Sequence, residues 1–217
     1  MKVAVHKYLL AVLACFVVVS KASIGVDISQ LYNPSDFQCL KDNDRDFAII
    51  RCYQSVGKVD PNCAQNVANA WDGGMSYVDL YMFPCPTCGD AANQINELAA
   101  YLNDNNVQYG QLWLDIEGAD YWLGDAGANQ AFASDLFNAA NQVFGDRLAG
   151  VYCNRNGWES IFGEWQTPYQ GKLWWASWNG SPSWAGWQPF DGFNTPTIRQ
   201  YEGDTELCGM SVDLDFY

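Results

Sequence analysis

Two carboxylates stand two residues apart at the end of a short apolar run, Leu112-Trp113-Leu114-Asp115-Ile116-Glu117. Side chains alternate across an extended strand, so Leu112, Leu114 and Ile116 share one face and Trp113, Asp115 and Glu117 the other. A rise of about 3.3 Å per residue separates the two acids by about 6.6 Å along the backbone. Like charges that close in a partly desolvated site push one pKa upward, which makes a proton donor at neutral or mildly acidic pH. The same parity recurs at both ends of the chain: Asp27 lies opposite Ile24, Val26 and Ile28, while Asp213 and Asp215 lie opposite Val212, Leu214 and Phe216. Any one strand acid is as readily a solvated edge charge or a helix-cap ligand. Asp27, Asp115, Glu117 and Asp213 together point to one shared site. Such a set suits cleavage of a glycosidic bond, in which one acid protonates the leaving oxygen and a second stabilises or captures the developing oxocarbenium ion.

Other chemistries lose their central group. The only His is His6, and it sits in a stretch that reads as a secretory leader. Lys2 and Lys7 precede an apolar run over 8–19, which is followed by Ser20-Lys21-Ala22, a small-x-small cleavage pattern. The expectation is a signal peptide over 1–22 and a single domain over 23–217, secreted or lumenal. The leader's apolar run, about 12 residues, is shorter than the roughly 20 that a spanning helix needs. Without His6, Ser-His-Asp and Cys-His catalysis and His-ligated zinc are excluded, so carboxylates must do the acid–base work with no metal or cofactor.

The balance of 11 Lys and Arg against 25 Asp and Glu, a net charge of −14, repels phosphate backbones and anionic membranes alike. Neither nucleic acid nor membrane is an expected partner. With 49% hydrophobic, 15% aromatic and 17% charged residues in a chain of 217, the composition is globular and suits one domain. Apart from Cys15 in the leader, Cys39, Cys52, Cys63, Cys85, Cys88, Cys153 and Cys208 remain. In an oxidising compartment they imply up to three disulfides and one leftover thiol, with connectivity open. Cys85-Pro86-Thr87-Cys88 lies where a thioredoxin-type motif would lie, between a strand-like and a helix-like run. Nothing else suggests a redox domain, so Cys85 and Cys88 are read as a local structural disulfide.

Apolar runs and period-two alternation predict strands over 24–29, 46–53, 76–83, 111–117, 148–154, 172–178, 197–201 and 211–216. Helix-like stretches fall over 34–40, 62–71, 90–103, 128–144 and 157–165. In the third of these, Ala91, Ile95, Leu98 and Leu102 form one stripe, as a helix covering a sheet requires. Strands that alternate with helices imply parallel pairing. After Trp165 the helices stop and Trp-, Pro- and Gly-rich connections take over. The expected fold is α/β: an irregular, incomplete (β/α) TIM-like barrel with eight strands and about five helices, the last strands lacking helices. First and last strands are neighbours in a closed barrel, so the four acids could converge on its C-terminal mouth, where barrel active sites lie. Tyr53, Tyr81, Phe83, Tyr152, Trp175, Trp178 and Tyr201 fall near strand ends, where rings can stack on sugar faces. Core packing is the better explanation of each ring alone; as a group they suit a groove.

Four segments carry a family resemblance: Gly25-Val26-Asp27-Ile28-Ser29, Phe47-Ala48-Ile49-Ile50-Arg51, Leu114-Asp115-Ile116-Glu117, and Arg199-Gln200-Tyr201 followed by Val212-Asp213-Leu214-Asp215. In this order they resemble lysozymes of glycoside hydrolase family 25, the Chalaropsis-type muramidases, and the small animal and amoeboid members above all. The resemblance covers essentially all of 23–217. It implies a flattened, irregular β/α barrel that cuts the β-1,4 bond between N-acetylmuramic acid and N-acetylglucosamine in peptidoglycan, for digestion of bacteria or defence against them. It further implies Glu117 as general acid, and Asp115 as stabiliser of the transition state through the substrate's own N-acetyl group. Asp27 and Asp213 become further acids of the groove. Asp213 is preferred to Asp215 because the family's aspartate follows an apolar residue directly after a Gly- or Ser-containing turn, a register that leaves a shift of two open. Tyr53, Tyr81, Tyr152, Trp178 and Gln200 are the candidate substrate contacts, and peptidoglycan strands the partner of a monomer.

A chitinase-like hydrolase would also place Asp-x-Glu on its fourth strand, but its longer Asp-x-x-Asp-x-Asp-x-Glu pattern is absent: Gly110-Gln111-Leu112-Trp113-Leu114 precede Asp115. A non-catalytic peptidoglycan or chitin lectin is the other alternative, and retention of both Asp115 and Glu117 speaks against it. The strong acidity disfavours contact with anionic walls at neutral pH and predicts an enzyme that works best in acid.

Overall fold

The structure, a computed structural model, describes residues 22–169 and 171–217. The expected leader therefore lies, but for Ala22, outside the described residues. Strands and helices alternate as β1 (Ile24–Ile28), α1 (Pro34–Asp42), β2 (Phe47–Gln54), β3 (Lys58–Val59), α2 (Cys63–Asp72), β4 (Tyr77–Met82), α3 (Ala91–Asp104), β5 (Leu112–Asp115), α4 (Ala126–Phe144), β6 (Leu148–Cys153) and α5 (Arg155–Phe162). β7 (Lys172–Ala176), β8 (Ile198–Leu207) and β9 (Met210–Phe216) complete the order without further α-helices. Among the described residues, no helix is long and apolar enough to cross a membrane.

Hydrogen bonding passes from β1 through β2, β4, β5, β6, β7, β8 and β9 and back to β1, an eight-stranded closed barrel. β3, a two-residue strand with no counterpart among the expected ones, folds back on β2 outside the ring. Parallel pairing holds from β1 round to β8 but not for β9, which runs antiparallel to both neighbours. The reason lies in the link: β8 and β9 meet through Cys208 (φ 56°) and Gly209 (φ 73°). Two residues in left-handed conformations close a hairpin, whereas a parallel crossover needs a dozen or more. β8 consequently runs on to Leu207, well past its expected end.

Alternation along the strands divides the apolar side chains in two. Phe47, Ile49, Tyr81, Trp113, Ala149, Tyr152, Trp174, Ala176 and Ile198 fill the barrel interior. A larger cluster, including Val26, Ile50, Leu80, Leu112, Leu114, Val151 and Leu173, packs outward against the helices. Trp174 is central to the interior, with Tyr152, Trp113 and Tyr81 at ring-centroid distances of 4.7, 6.0 and 6.1 Å in edge-on contacts. Each such ring contributes on the order of 2–3 kcal/mol by burial. Gly25 permits this filling, because a Cβ there would lie 2.5 Å from the Phe47 ring.

Local signals set the helix starts. The Asp90 carboxylate accepts the Asn93 N–H at 3.0 Å and the Asp125 carboxylate the Ala128 N–H at 2.7 Å, each satisfying an orphan donor of a first turn. Asn154 does the same for Gly157 at 2.8 Å, which starts α5 at Arg155, earlier than its apolar pattern suggests. Where helices are missing, a buried cation organises the connection. Arg199, fully buried and facing outward, donates to the carbonyls of Ser177, Ser183 and Ala185, with its guanidinium 4.6 Å from the Trp175 ring. Trp187 packs edge-on against Trp175 at 5.1 Å and Trp184 against Phe216 at 4.6 Å, so aromatic rings cover the barrel in place of a helix.

Three disulfides form: Cys39–Cys208, Cys52–Cys63 and Cys85–Cys88. Cys153 remains free and buried. The Cys85–Cys88 bridge is thus the local one expected, and it rests against Gly57 in the β2–β3 turn, where a Cβ would lie 2.7 Å from the Cys88 sulfur.

Candidate active site

The C-terminal ends of the parallel strands gather the acids. β1 and β9 place Asp27 directly opposite Asp213 across one antiparallel rung. Asp115 ends β5 beside Tyr152 of β6, and the Ile116 N–H still donates to the Tyr152 carbonyl at 2.9 Å. That bond carries the alternation one step beyond the strand, so Glu117 emerges on the same face as Asp115. Its backbone is pinned by the Trp122 indole N–H, which donates to the Glu117 carbonyl at 3.0 Å. Gly118 (φ 63°) then turns the chain, and a Cβ there would lie 2.6 Å from the Tyr121 ring.

Gln200, 2% exposed, is the hub of the site. Its Oε1 accepts from the Tyr152 hydroxyl and the Trp178 indole, both at 2.8 Å. Its Nε2 donates to Asp27 Oδ2 at 2.7 Å and to Asp213 Oδ2 at 3.2 Å. One amide therefore links an exposed ring, a buried tyrosine and two acids from different strands. Asp213 Oδ1 accepts the Asp204 N–H at 2.7 Å, a bond made possible by the irregular β8–β9 pairing and the left-handed Asp204 (φ 53°).

Below this layer lies Asp215, fully buried, with Oδ1 accepting the Trp174 indole N–H at 2.7 Å. Its Oδ2 has no partner unless one of the facing carboxyls is protonated, and the contact it makes is with Asp27. A proton held between Asp27 and Asp215 satisfies both.

Every acid of the group is pushed toward its neutral form. Burial, then the charge of Asp213, raises Asp27 to about 8 against the opposing hydrogen bonds from Gln200 and Asp215. Burial and the charges of Glu117 and Asp27 hold Asp115 well above the usual carboxylate range, partly offset by Arg51. Glu117 is raised by burial and by Asp213; Asp213 by burial and by Asp204, against the Asp204 N–H. Arg51 is itself fixed, donating from Nε to Asp60 Oδ2 at 2.7 Å and from Nη2 to the Ser29 carbonyl at 3.0 Å. A half-buried Glu117 whose carboxyl is pushed toward its protonated form, beside a buried Asp115 whose Oδ1 is unpartnered, can donate to a leaving oxygen while the second acid meets developing positive charge.

Glu117, Tyr152, Asn154, Ala176, Ser177 and Trp178 line a depression of about 360 Å³ at this mouth. A larger cleft of about 780 Å³ lies beside α4 near the opposite ends of β6 and β7, and none of the acids reaches it. Among the described residues, no group of three His, Cys, Asp or Glu side chains is arranged to hold a metal ion.

The candidate rings divide. Tyr152 and Trp178 stand at the mouth, the latter 58% exposed, and Tyr81 lies buried beneath, close enough to feel Asp27 and Asp115. Tyr53 is a correction. It is fully buried in the helix-facing core, with its hydroxyl donating to Glu97 at 3.1 Å, and it does not reach the groove. A bulge between Arg51 and Tyr53 shifts the pairing with β4 and turns Tyr53 outward. Trp175 and Tyr201 also face outward, Trp175 against Trp187 and Tyr201 against Phe216, and Phe83 packs edge-on against Tyr121 at 5.0 Å. Two further residues take part beyond the expected set: Arg51, whose parity with Phe47 and Ile49 directs it inward, and Asp215, which the sequence places on the same face as the preferred Asp213.

Comparison with known proteins places this arrangement. Residues 19–201 match the family model of lysozyme-like protein 1. "Probable GH family 25 lysozyme 2" of Dictyostelium discoideum is 43% identical over 209 residues, 96% of this chain and 97% of that protein. The family GH25 lysozyme from Aspergillus fumigatus shares the fold with a TM-score of 0.73 at 20% identity, over 91% of this chain and 94% of that one. The modular autolysin LytC of Streptococcus pneumoniae, solved with a synthetic peptidoglycan ligand, does so with a TM-score of 0.69 at 17% identity, over 90% of this chain and 47% of that one. A closed barrel with a carboxyl-lined mouth, in a chain this similar to a family member along its whole length, belongs to the lysozymes of glycoside hydrolase family 25.

Proposed function

We propose that this glycoside hydrolase is a muramidase that cuts the β-1,4 bond between N-acetylmuramic acid and N-acetylglucosamine in bacterial peptidoglycan. The observation that carries the reading is the raised, half-buried Glu117 beside buried Asp115 in a depression rimmed by Trp178. Glu117 protonates the leaving glycosidic oxygen. Asp115 stabilises the positive charge that follows, through the substrate's N-acetyl group. Asp27 and Asp213, joined by Gln200, set the field on the opposite wall, and Trp178 and Tyr152 meet the sugar.

The protein acts as a secreted monomer, freed of residues 1–22, in digestion of bacteria or defence against them; three disulfides accord with an oxidising compartment. Acids raised in pKa, in a chain of net charge −14, support activity greatest in acid, where fewer carboxylates repel the wall.

Purified peptidoglycan digested at several pH values by wild type and by Glu117→Gln, with mass spectrometry of the released fragments, tests this. Fragments reducing at muramic acid from wild type, and a loss of about 10²–10⁴-fold in the variant, are expected. Wall binding without cleavage by either protein at any pH would make it a lectin, and a profile rising steadily to pH 8 would refute the acid optimum.

A further inference from the structure

The depression that holds Glu117 continues past Trp178. Through Asn154, Ala176 and Ser177, which line both, it joins a second depression of about 400 Å³ that adds Arg155, Asn156, Gly186 and Gln188. Arg155 is the one Lys or Arg on the lining of either. That is a notable place for a cation in a chain with 25 acidic residues, several of them grouped at the same mouth.

Its guanidinium is held in advance. Nη2 donates to the Pro189 carbonyl at 2.6 Å, and the group lies 5.7 Å from the centroid of the buried Phe190 ring. The ion pairs among the described residues are Lys41–Asp46 and Arg51–Asp60, so no carboxylate is in contact with Arg155. The nearby Asp191 carboxylate feels Arg155 through its field, which favours its charged form against burial and the charge of Glu159. The remaining N–H groups of Arg155 have no acceptor among the described residues. A guanidinium held by the Pro189 carbonyl, in contact with no carboxylate and lining the same depression as the Asn156 and Gln188 amides, is placed to receive a carboxylate.

We infer that this arm of the groove binds the carboxylate-bearing substituent of muramic acid, with Arg155 selecting glycan strands that carry stem peptides. The inference rests on the muramidase reading and names the part of the substrate that the acidic mouth would otherwise repel. Two carboxylate sources share this chemistry: the stem peptide, and the lactyl group that is freed when the peptide is removed.

The test compares wild type and Arg155→Gln on three substrates: intact peptidoglycan, peptidoglycan stripped of stem peptides by an amidase, and peptidoglycan whose carboxylates are blocked as methylamides. On intact strands the variant is expected to lose about tenfold in kcat/KM, chiefly through KM. On the blocked strands the two proteins should be equal. A loss confined to intact strands assigns the stem-peptide carboxylates alone, and a loss on stripped strands as well shows that the freed lactyl carboxylate takes their place when the peptide is gone. Equal activity on intact strands, or the same loss on blocked ones, would overturn the inference. Failure of wild type to cut any of the three refutes the muramidase reading instead. Sedimentation of Glu117→Gln with the same walls, with and without Arg155→Gln, then decides the carboxylate preference from binding alone.

Discussion

Replacing Asp27 by Asn should make the protein more stable at neutral pH while it weakens the enzyme. In the folded protein Asp27 is raised from 3.8 to about 8, with burial the main cause and Asp213 the next. The unfolded chain has no such burial, so it releases this proton near pH 4 while the folded state holds it to about pH 8. A folded pKa above the unfolded one stabilises fully below pH 4, and the stabilisation drains away as pH rises through the interval. The slope is about 1.4 kcal/mol per pH unit, so roughly 4 kcal/mol is lost between pH 4 and pH 7. Asn carries no proton to lose. Its side-chain carbonyl can still accept from Gln200 Nε2, which donates to Asp27 Oδ2 at 2.7 Å in the wild type, and its amide can donate to Asp215. Urea unfolding of both proteins at intervals from pH 4 to pH 8 would follow the difference. It should be near zero at pH 4 and grow to about 4 kcal/mol at pH 7, equivalent to roughly 10 °C in Tm for a domain of this size. Stability curves that run parallel with pH, or a variant that weakens relative to wild type as pH rises, would refute the burial argument.

Gln200→Leu removes the amide that joins Asp27, Asp213, Tyr152 and Trp178; a fall of at least tenfold in kcat with a displaced pH profile is expected from steady-state assays, against unchanged kinetics if the hub only fills space. Tyr53→Phe should leave kcat and KM within twofold and cost about 1 kcal/mol in urea unfolding, since the hydroxyl meets Glu97 in the helix layer and not the groove. Cys39→Ser with Cys208→Ser opens a loop of 169 residues and should cost about 5 kcal/mol on chain entropy, whereas Cys85→Ser with Cys88→Ser, with a separation of 3, should cost about 2. Paired urea titrations would show whether that order holds.

Much of the site was legible before any tertiary contact was known. In Leu112-Trp113-Leu114-Asp115-Ile116-Glu117 alternation alone separates the helix-facing residues from the acids, and the structure keeps that division through the Ile116 N–H bond to β6. The ends of the chain were legible for the same reason, because Val26 and Leu214 declare the outer face and leave Asp27 and Asp213 the inner one. Tyr53 was misplaced because nearness to a strand end does not fix the face a ring takes, and a single bulge after Arg51 reverses the alternation for the residues beyond.

What the sequence determined by itself is whatever propagates along one strand or helix: the alternating pattern, the helix stripes, and the order of elements that makes a barrel. What only the tertiary structure decided is how separate segments meet. Gln200 touching both Asp27 and Asp213, Asp215 stacked beneath Asp27 with a proton to share, the antiparallel β9, the disulfide pairing, and Arg199 standing in for missing helices all depend on contacts between distant residues. The raised pKa values belong to that second group, because they arise from desolvation and neighbouring charge, which exist only once the closed barrel has excluded water from its mouth.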